Sequence, residues 1–96
     1  MKTYNQAQAA ENLESQSLAG WKTEGEFISK EFTFKDFKEA IQFKVKVGEI
    51  AEELNHHPNW SNVYNKVNIK LSTHDAGGVT DKDFELAKRI EEVTKK

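Results

Sequence analysis

The stretch TFKDFKEAIQFKVKVGEIAEEL, Thr33 to Leu54, decides the fold. Thr33 followed by Asp36 reads as a capping box, and beyond it apolar residues recur at helical spacing as far as Leu54, predicting a long helix over 35–54. On a wheel at about 100° per residue, two adjacent stripes emerge. Phe37, Ile41, Val45, Gly48 and Ala51 form one, and Ala40, Phe43, Val47, Ile50 and Leu54 form the other, broken only by Lys44. A helix lying on one sheet needs a narrower apolar arc than this. The excess predicts that the helix also meets a second subunit, in a homodimer or homotetramer, the alternative being that the amino-terminal helix covers it.

Strand patterns flank this helix on both sides. Upstream, GWKTEGEFISKEFTF carries β-formers around Glu24-Gly25 and predicts a hairpin from Trp21 to Phe34. Downstream, NWSNVYNKVNIKLST predicts a second hairpin turning at Asn65-Lys66. Pairing Tyr64 with Val67, and hence Trp60 with Leu71, puts Trp60, Tyr64, Val67, Ile69 and Leu71 on one core face. A weak helical pattern runs from Ala7 to Leu13, and Thr80 with Asp83 opens a last helix whose Phe84, Ala87, Ile90 and Val93 point inward. The expected class is α+β, in the order α-β-β-α-β-β-α. Two hairpins make a four-stranded antiparallel sheet, with about three helices on one of its faces.

With 96 residues the chain has room for one core, so a single domain over 1–96 is expected. A net charge of −2 argues against a role resting on phosphate neutralisation, and nucleic acid is not an expected direct partner. The absence of cysteine excludes disulfides, thiolate metal sites and cysteine nucleophiles. No apolar run has the length of a signal peptide or a membrane span, which points to a cytoplasmic protein.

Chemistry gathers after the long helix, in EELNHHPNW, where His56 and His57 precede the only proline, Pro58. His74, the remaining histidine, lies just beyond the second hairpin. The pairing above sets residues 57 and 74 opposite one another, so all three imidazoles are expected at one end of the sheet, with Glu52 one helical turn before His56. Two chemistries suit that set. A zinc site is one, although adjacent histidines seldom aim both rings at one ion. Metal-free acid/base catalysis is the other and is favoured, because imidazole titrates near neutrality. Asp83 is explained by capping alone, and Trp60 and Tyr64 read as core aromatics.

The spacing Glu52-x3-His56-His57-Pro58-x5-Tyr64-x9-His74-x8-Asp83, with NVYNKVNIKLSTH around it, resembles the pterin-4a-carbinolamine dehydratases, from about Trp21 to the end of the chain. Residues 1–18 match weakly. The resemblance implies loss of water from a 4a-hydroxytetrahydropterin to give quinonoid dihydropterin, within tetrahydropterin recycling and without a metal or other cofactor. It implies His56 and His57 as acids on the hydroxyl side, His74 as base, and Glu52 as the group that orients an imidazole. Substrate contacts are implied at Asn55, Pro58, Trp60, Ser72, Thr73, Asp75 and Asp83. Asn55 departs from familiar animal members, which carry Asp there. Oligomers built through the long helix are also implied. The rival reading is a pterin-binding or dimerisation module acting on a partner through helix positions such as Phe43 or Val47.

Overall fold

The computed structural model describes residues 2–94. Helix α1 (Gln6–Ser15) leads into strands β1 (Lys22–Glu24) and β2 (Phe27–Thr33), and the long helix α2 (Phe37–Leu54) connects them to β3 (Asn59–Val63) and β4 (Lys66–Leu71). A 3-10 turn over His74–Ala76 precedes the last helix, α3 (Asp81–Thr94). The expected order is therefore found. The strands form one antiparallel sheet ordered β1-β2-β4-β3, so the two hairpins join through β2 and β4.

Alternation along the central strands builds the core. Ile28 and Phe32 on β2, with Val67, Ile69 and Leu71 on β4, point to one side and are buried. Onto them pack Ala9 and Leu13 of α1, Ala40, Phe43 and Val47 of α2, and Phe84, Leu86, Ala87 and Ile90 of α3, in one cluster. The opposite face keeps Ser29, Asn68 and Lys70 and, among the described residues, carries no helix.

Local chemistry shifts three details from the sequence expectation. The cap of α2 is Asp36, whose carboxylate accepts from Glu39 N–H at 2.9 Å while Glu39 accepts from Lys35 N–H at 2.9 Å. Thr33 instead ends β2, opposite Lys66. In the first hairpin Glu24 pairs with Phe27, leaving Gly25 at φ 60° and Glu26 as the turn. The second hairpin turns at Tyr64-Asn65, because Val63 pairs with Lys66, and Trp60 accordingly lies opposite Ile69 and not Leu71. Two amides hold this turn. Asn62 Nδ2 donates to the carbonyls of Tyr64 and Lys66, and Asn65 Nδ2 donates to the Phe34 carbonyl. Tyr64 is left in the left-handed region at φ 50° and 63% exposed, outside the core face expected for it.

The two stripes of α2 separate except at Ala51, which the wheel set with Phe37 and Val45 and which is buried. Ala40, Phe43, Val47 and Ala51 are buried against the sheet and α3, with Ile50 and Leu54 at the margin. Phe37 and Val45 lie outside, 51% and 57% exposed. Phe43 and Val47 therefore belong to the core and cannot present themselves to a partner.

Candidate active site

The end of α2 aims the two adjacent histidines in different directions. Asn55 adopts the left-handed conformation (φ 52°, ψ 43°); its N–H donates to the Glu52 carbonyl, and the N–H of His56 reaches back to Ala51. This crossed pair of bonds is a Schellman closure, which turns the chain sharply out of the helix. The chain then runs into β3, and its two histidines contact opposite sides of the sheet. His56 enters the layer between sheet and helices, whereas His57 emerges on the uncovered face.

His56 is 11% exposed, and its Nε2 lies 2.5 Å from Oδ1 of Asp83, which is fully buried. Asp83 Oδ2 accepts from the Thr80 backbone N–H at 2.9 Å and the Thr73 hydroxyl at 3.0 Å. The Thr73 and Thr80 hydroxyls are themselves 2.6 Å apart. Asp83 thus caps α3, as the sequence suggests. It also ties the histidine segment to the strand that leads into His74.

On the uncovered face, extending the observed ladders places His57, Ser72 and Phe27 in one row across β3, β4 and β2, above the row of Asn59, Lys70 and Ser29. A cavity of about 280 Å³ opens there, close to the lower bound for small-ligand sites. His57, Pro58, Ser72 and His74 line one part of it, and Glu26, Phe27 and Lys70 another. Gly77, at φ 75°, closes the 3-10 turn that holds His74 at the rim.

Polar and charged side chains pair around the cavity. His57 Nε2 lies 2.6 Å from Glu52 Oε2, in an exposed contact. Lys70 Nζ lies 3.2 Å from Glu24 Oε2, while Glu24 Oε1 accepts from the Ser29 hydroxyl at 3.0 Å. The hydrogen bond from Lys70, followed by that from Ser29 and the Lys70 charge, holds the Glu24 carboxyl below its ordinary value. Behind the His74 loop, Tyr4 bridges to Val79, and its hydroxyl donates to Asp81 Oδ1 at 2.5 Å. That hydrogen bond, with burial and the Asp81 charge adding to it, raises the Tyr4 phenol above its ordinary value.

The structure thus brings His57, His74, Pro58 and Ser72 to one cavity, with Glu52 attached through His57. His56, Thr73 and Asp83 form the buried network beside it. Asn55 is the helix-terminating residue, Asp75 is exposed in the 3-10 turn, and Trp60 lies on the helix side with Lys44 Nζ 5.5 Å from its ring centre. The expected meeting of three imidazoles reduces to two, since His56 turns to Asp83 on the helix side while His57 and His74 line the cavity. Among the described residues no group of three or more His, Cys, Asp or Glu is placed to hold a metal ion. Glu26, Phe27 and Lys70 escaped the sequence reading. The period-two alternation of β2 and β4 carried the signal for Phe27 and Lys70, once the uncovered face is taken as the site.

A small α+β domain with an imidazole-lined cavity on the uncovered face of its sheet defines the class. Residues 2–93 match the family model described as Pterin 4 alpha carbinolamine dehydratase. The chain belongs to that family. A Sulfurisphaera tokodaii protein named "Putative pterin-4-alpha-carbinolamine dehydratase" is 48% identical over 97% of this chain and 98% of its own length. One from Opitutus terrae with the same name is 50% identical over 80% of each. Among solved structures, a transcriptional coactivator/pterin dehydratase from Brucella melitensis superposes with a TM-score of 0.87, at 35% identity over 96% of this chain and 98% of that one. A pterin dehydratase-like RuBisCO assembly factor of the alpha-carboxysome has a TM-score of 0.68 at 23% identity, covering 79% of this chain and 90% of that one, and so shares the fold. No helix among the described residues is long and apolar enough to cross a membrane.

Proposed function

We propose that this chain dehydrates a 4a-hydroxytetrahydropterin to quinonoid dihydropterin and water, as a step in tetrahydropterin recycling in the cytoplasm. The observation that carries the reading is the placement of His57 and His74 on one cavity sized for a small flat ligand, in a chain of this family. In the elimination, one imidazolium gives its proton to the C4a hydroxyl, which leaves as water. One imidazole takes the proton from N5 as the C4a–N5 double bond forms. The net change is loss of water with no electron transfer, and it needs groups that give and take protons near neutral pH. His57 serves as the acid, steered by Glu52, and His74 as the base. His56 is a positioning residue that anchors the backbone of His57 to Asp83. The site is completed by Pro58 and Ser72 at the cavity wall. Asn55, Trp60, Thr73, Asp75 and Asp83 shape the segments that bear it.

The test is the rate of loss of 4a-hydroxytetrahydropterin, generated by a pterin-dependent hydroxylase. Wild-type protein accelerates it, and His57→Ala and His74→Ala each lower turnover by about 10²- to 10⁴-fold with the fold retained. Unchanged kinetics in both variants would refute the assignment. A second reading, an interaction module, is favoured by the exposed apolar residues Phe37 and Val45 on α2. It predicts no acceleration by folded wild-type protein.

A further inference from the structure

The β1–β2 hairpin supplies the wall of the cavity that the histidines do not, and its charges are unevenly satisfied. Glu24 is occupied by Lys70 and by the Ser29 hydroxyl. Lys70, so neutralised, lies over the Phe27 ring, 5.8 Å from its centre, and fixes that ring at the cavity edge. Glu26, at the tip of the turn, borders the same cavity, yet its carboxylate has no hydrogen-bond or ion-pair partner among the described residues. The tip itself is not loose. Gln6 Nε2 of α1 donates to the Gly25 carbonyl at 3.5 Å, beside the paired Glu24 and Phe27.

An ionised carboxylate offers two acceptor oxygens in one plane and pairs best with two parallel N–H donors. A 2-amino-4-oxopyrimidine ring presents such an edge, in its N3–H and one hydrogen of the amino group. Resting on the dehydratase reading, we propose that Glu26 is a specificity-determining residue that accepts this donor edge, while Phe27 gives the flat ring an apolar face. The ligand class is then a 2-amino-4-oxo heterocycle and not its 2,4-dioxo analogue. The analogue places a carbonyl oxygen where the amino group donates, so one bond is lost and two acceptors face each other. Charged hydrogen bonds of this kind correspond to about 10- to 100-fold in affinity.

The experiment is a fluorescence titration of wild-type protein and Glu26→Gln with two probes, pterin (2-amino-4-oxopteridine) and lumazine (2,4-dioxopteridine). It is run beside the dehydration assay, with a thermal melt confirming that the variant is folded. Wild type should bind pterin about 10- to 100-fold more tightly than lumazine. Glu26→Gln should lose most of that preference, because its amide donates to the 2-oxo group, and its KM should rise by more than its kcat falls. Equal preference and equal KM in the two proteins, with wild-type dehydration intact, would overturn the role of Glu26 and leave the dehydratase reading standing. Wild-type protein that neither binds pterin nor accelerates dehydration would overturn both.

Discussion

Nε2 of His56 lies 2.5 Å from Oδ1 of Asp83, a carboxylate fully buried between sheet and helices. Removing Asp83 strands the Thr80 N–H and the His56 ring and takes one acceptor from the Thr73 hydroxyl, and buried donors without partners cost about 1–3 kcal/mol each. Asp83→Ala should therefore lose about 3 kcal/mol or more, a fall in melting temperature of roughly 12 °C or more. His56→Ala should also destabilise, and the double variant should cost less than the sum by about 1 kcal/mol or more, since both changes remove the same contact. Strict additivity in urea titrations would show that the pair is not coupled.

The second histidine–carboxylate contact of this segment behaves differently because it faces water. His57 and Glu52 are 55% and 78% exposed, so Glu52→Gln should change stability by less than about 1 kcal/mol. Its effect should fall on turnover, through the aim of His57: roughly a tenfold loss in kcat with KM unchanged, smaller than the ~10²–10⁴ expected when an imidazole itself is removed. A loss confined to KM would make Glu52 a binding residue.

Asn55 closes the Schellman turn at φ 52°, a conformation that asparagine and glycine tolerate and β-branched residues do not. Asn55→Gly should be close to neutral in thermal melts. Asn55→Val should cost about 1–2 kcal/mol and, by reorienting His57, should lower dehydratase activity as well. Equal stability in the two variants would show that the left-handed turn is not under strain.

Helical periodicity located α2 and α3, and alternation located β2 and β4, because burial imposes those periods directly. The turns were each displaced by a residue; the second is held by amide contacts that propensity does not announce, Asn62 to the carbonyls of Tyr64 and Lys66 and Asn65 to that of Phe34. That displacement carries into the site, setting His57 opposite Ser72. Likewise the spacing of Thr80 and Asp83 revealed the cap but not its junction with His56, 27 residues away.

Two surface contacts set the pH dependence of stability at opposite ends. The Glu24 carboxyl is lowered from 4.5, chiefly by the Lys70 hydrogen bond, so its contribution is complete above that value and is lost as pH falls through the lower folded-state value. Tyr4 is raised from 10.0 by its bond to Asp81, so its contribution is complete below that value and disappears as pH rises through the higher folded-state value. The stability gap between wild type and Glu24→Gln should accordingly close in strong acid, and that between wild type and Tyr4→Phe should close in strong alkali. The Glu24 gap is small, as befits an exposed group. A gap that stays constant with pH would show that neither contact is made in solution.

The outer stripe of α2 bears on assembly. Phe37 and Val45 are exposed by half or more, and Ile41 and Gly48, which lie between and beyond them on the same side, are partly exposed. A small domain gains stability by covering such a strip, and a second copy of the same helix presents a matching one. Sedimentation of the wild-type chain should give a dimer or tetramer, and Val45→Glu should shift it to monomer with the far-UV circular dichroism spectrum unchanged, because Val45 lies outside the core. Val47→Glu separates the two faces of the helix: it places an unpaired carboxylate at a fully buried position and should unfold the chain, not merely dissociate it. A monomeric wild type, or a Val45→Glu variant that stays assembled, would remove the outer stripe from any role in association.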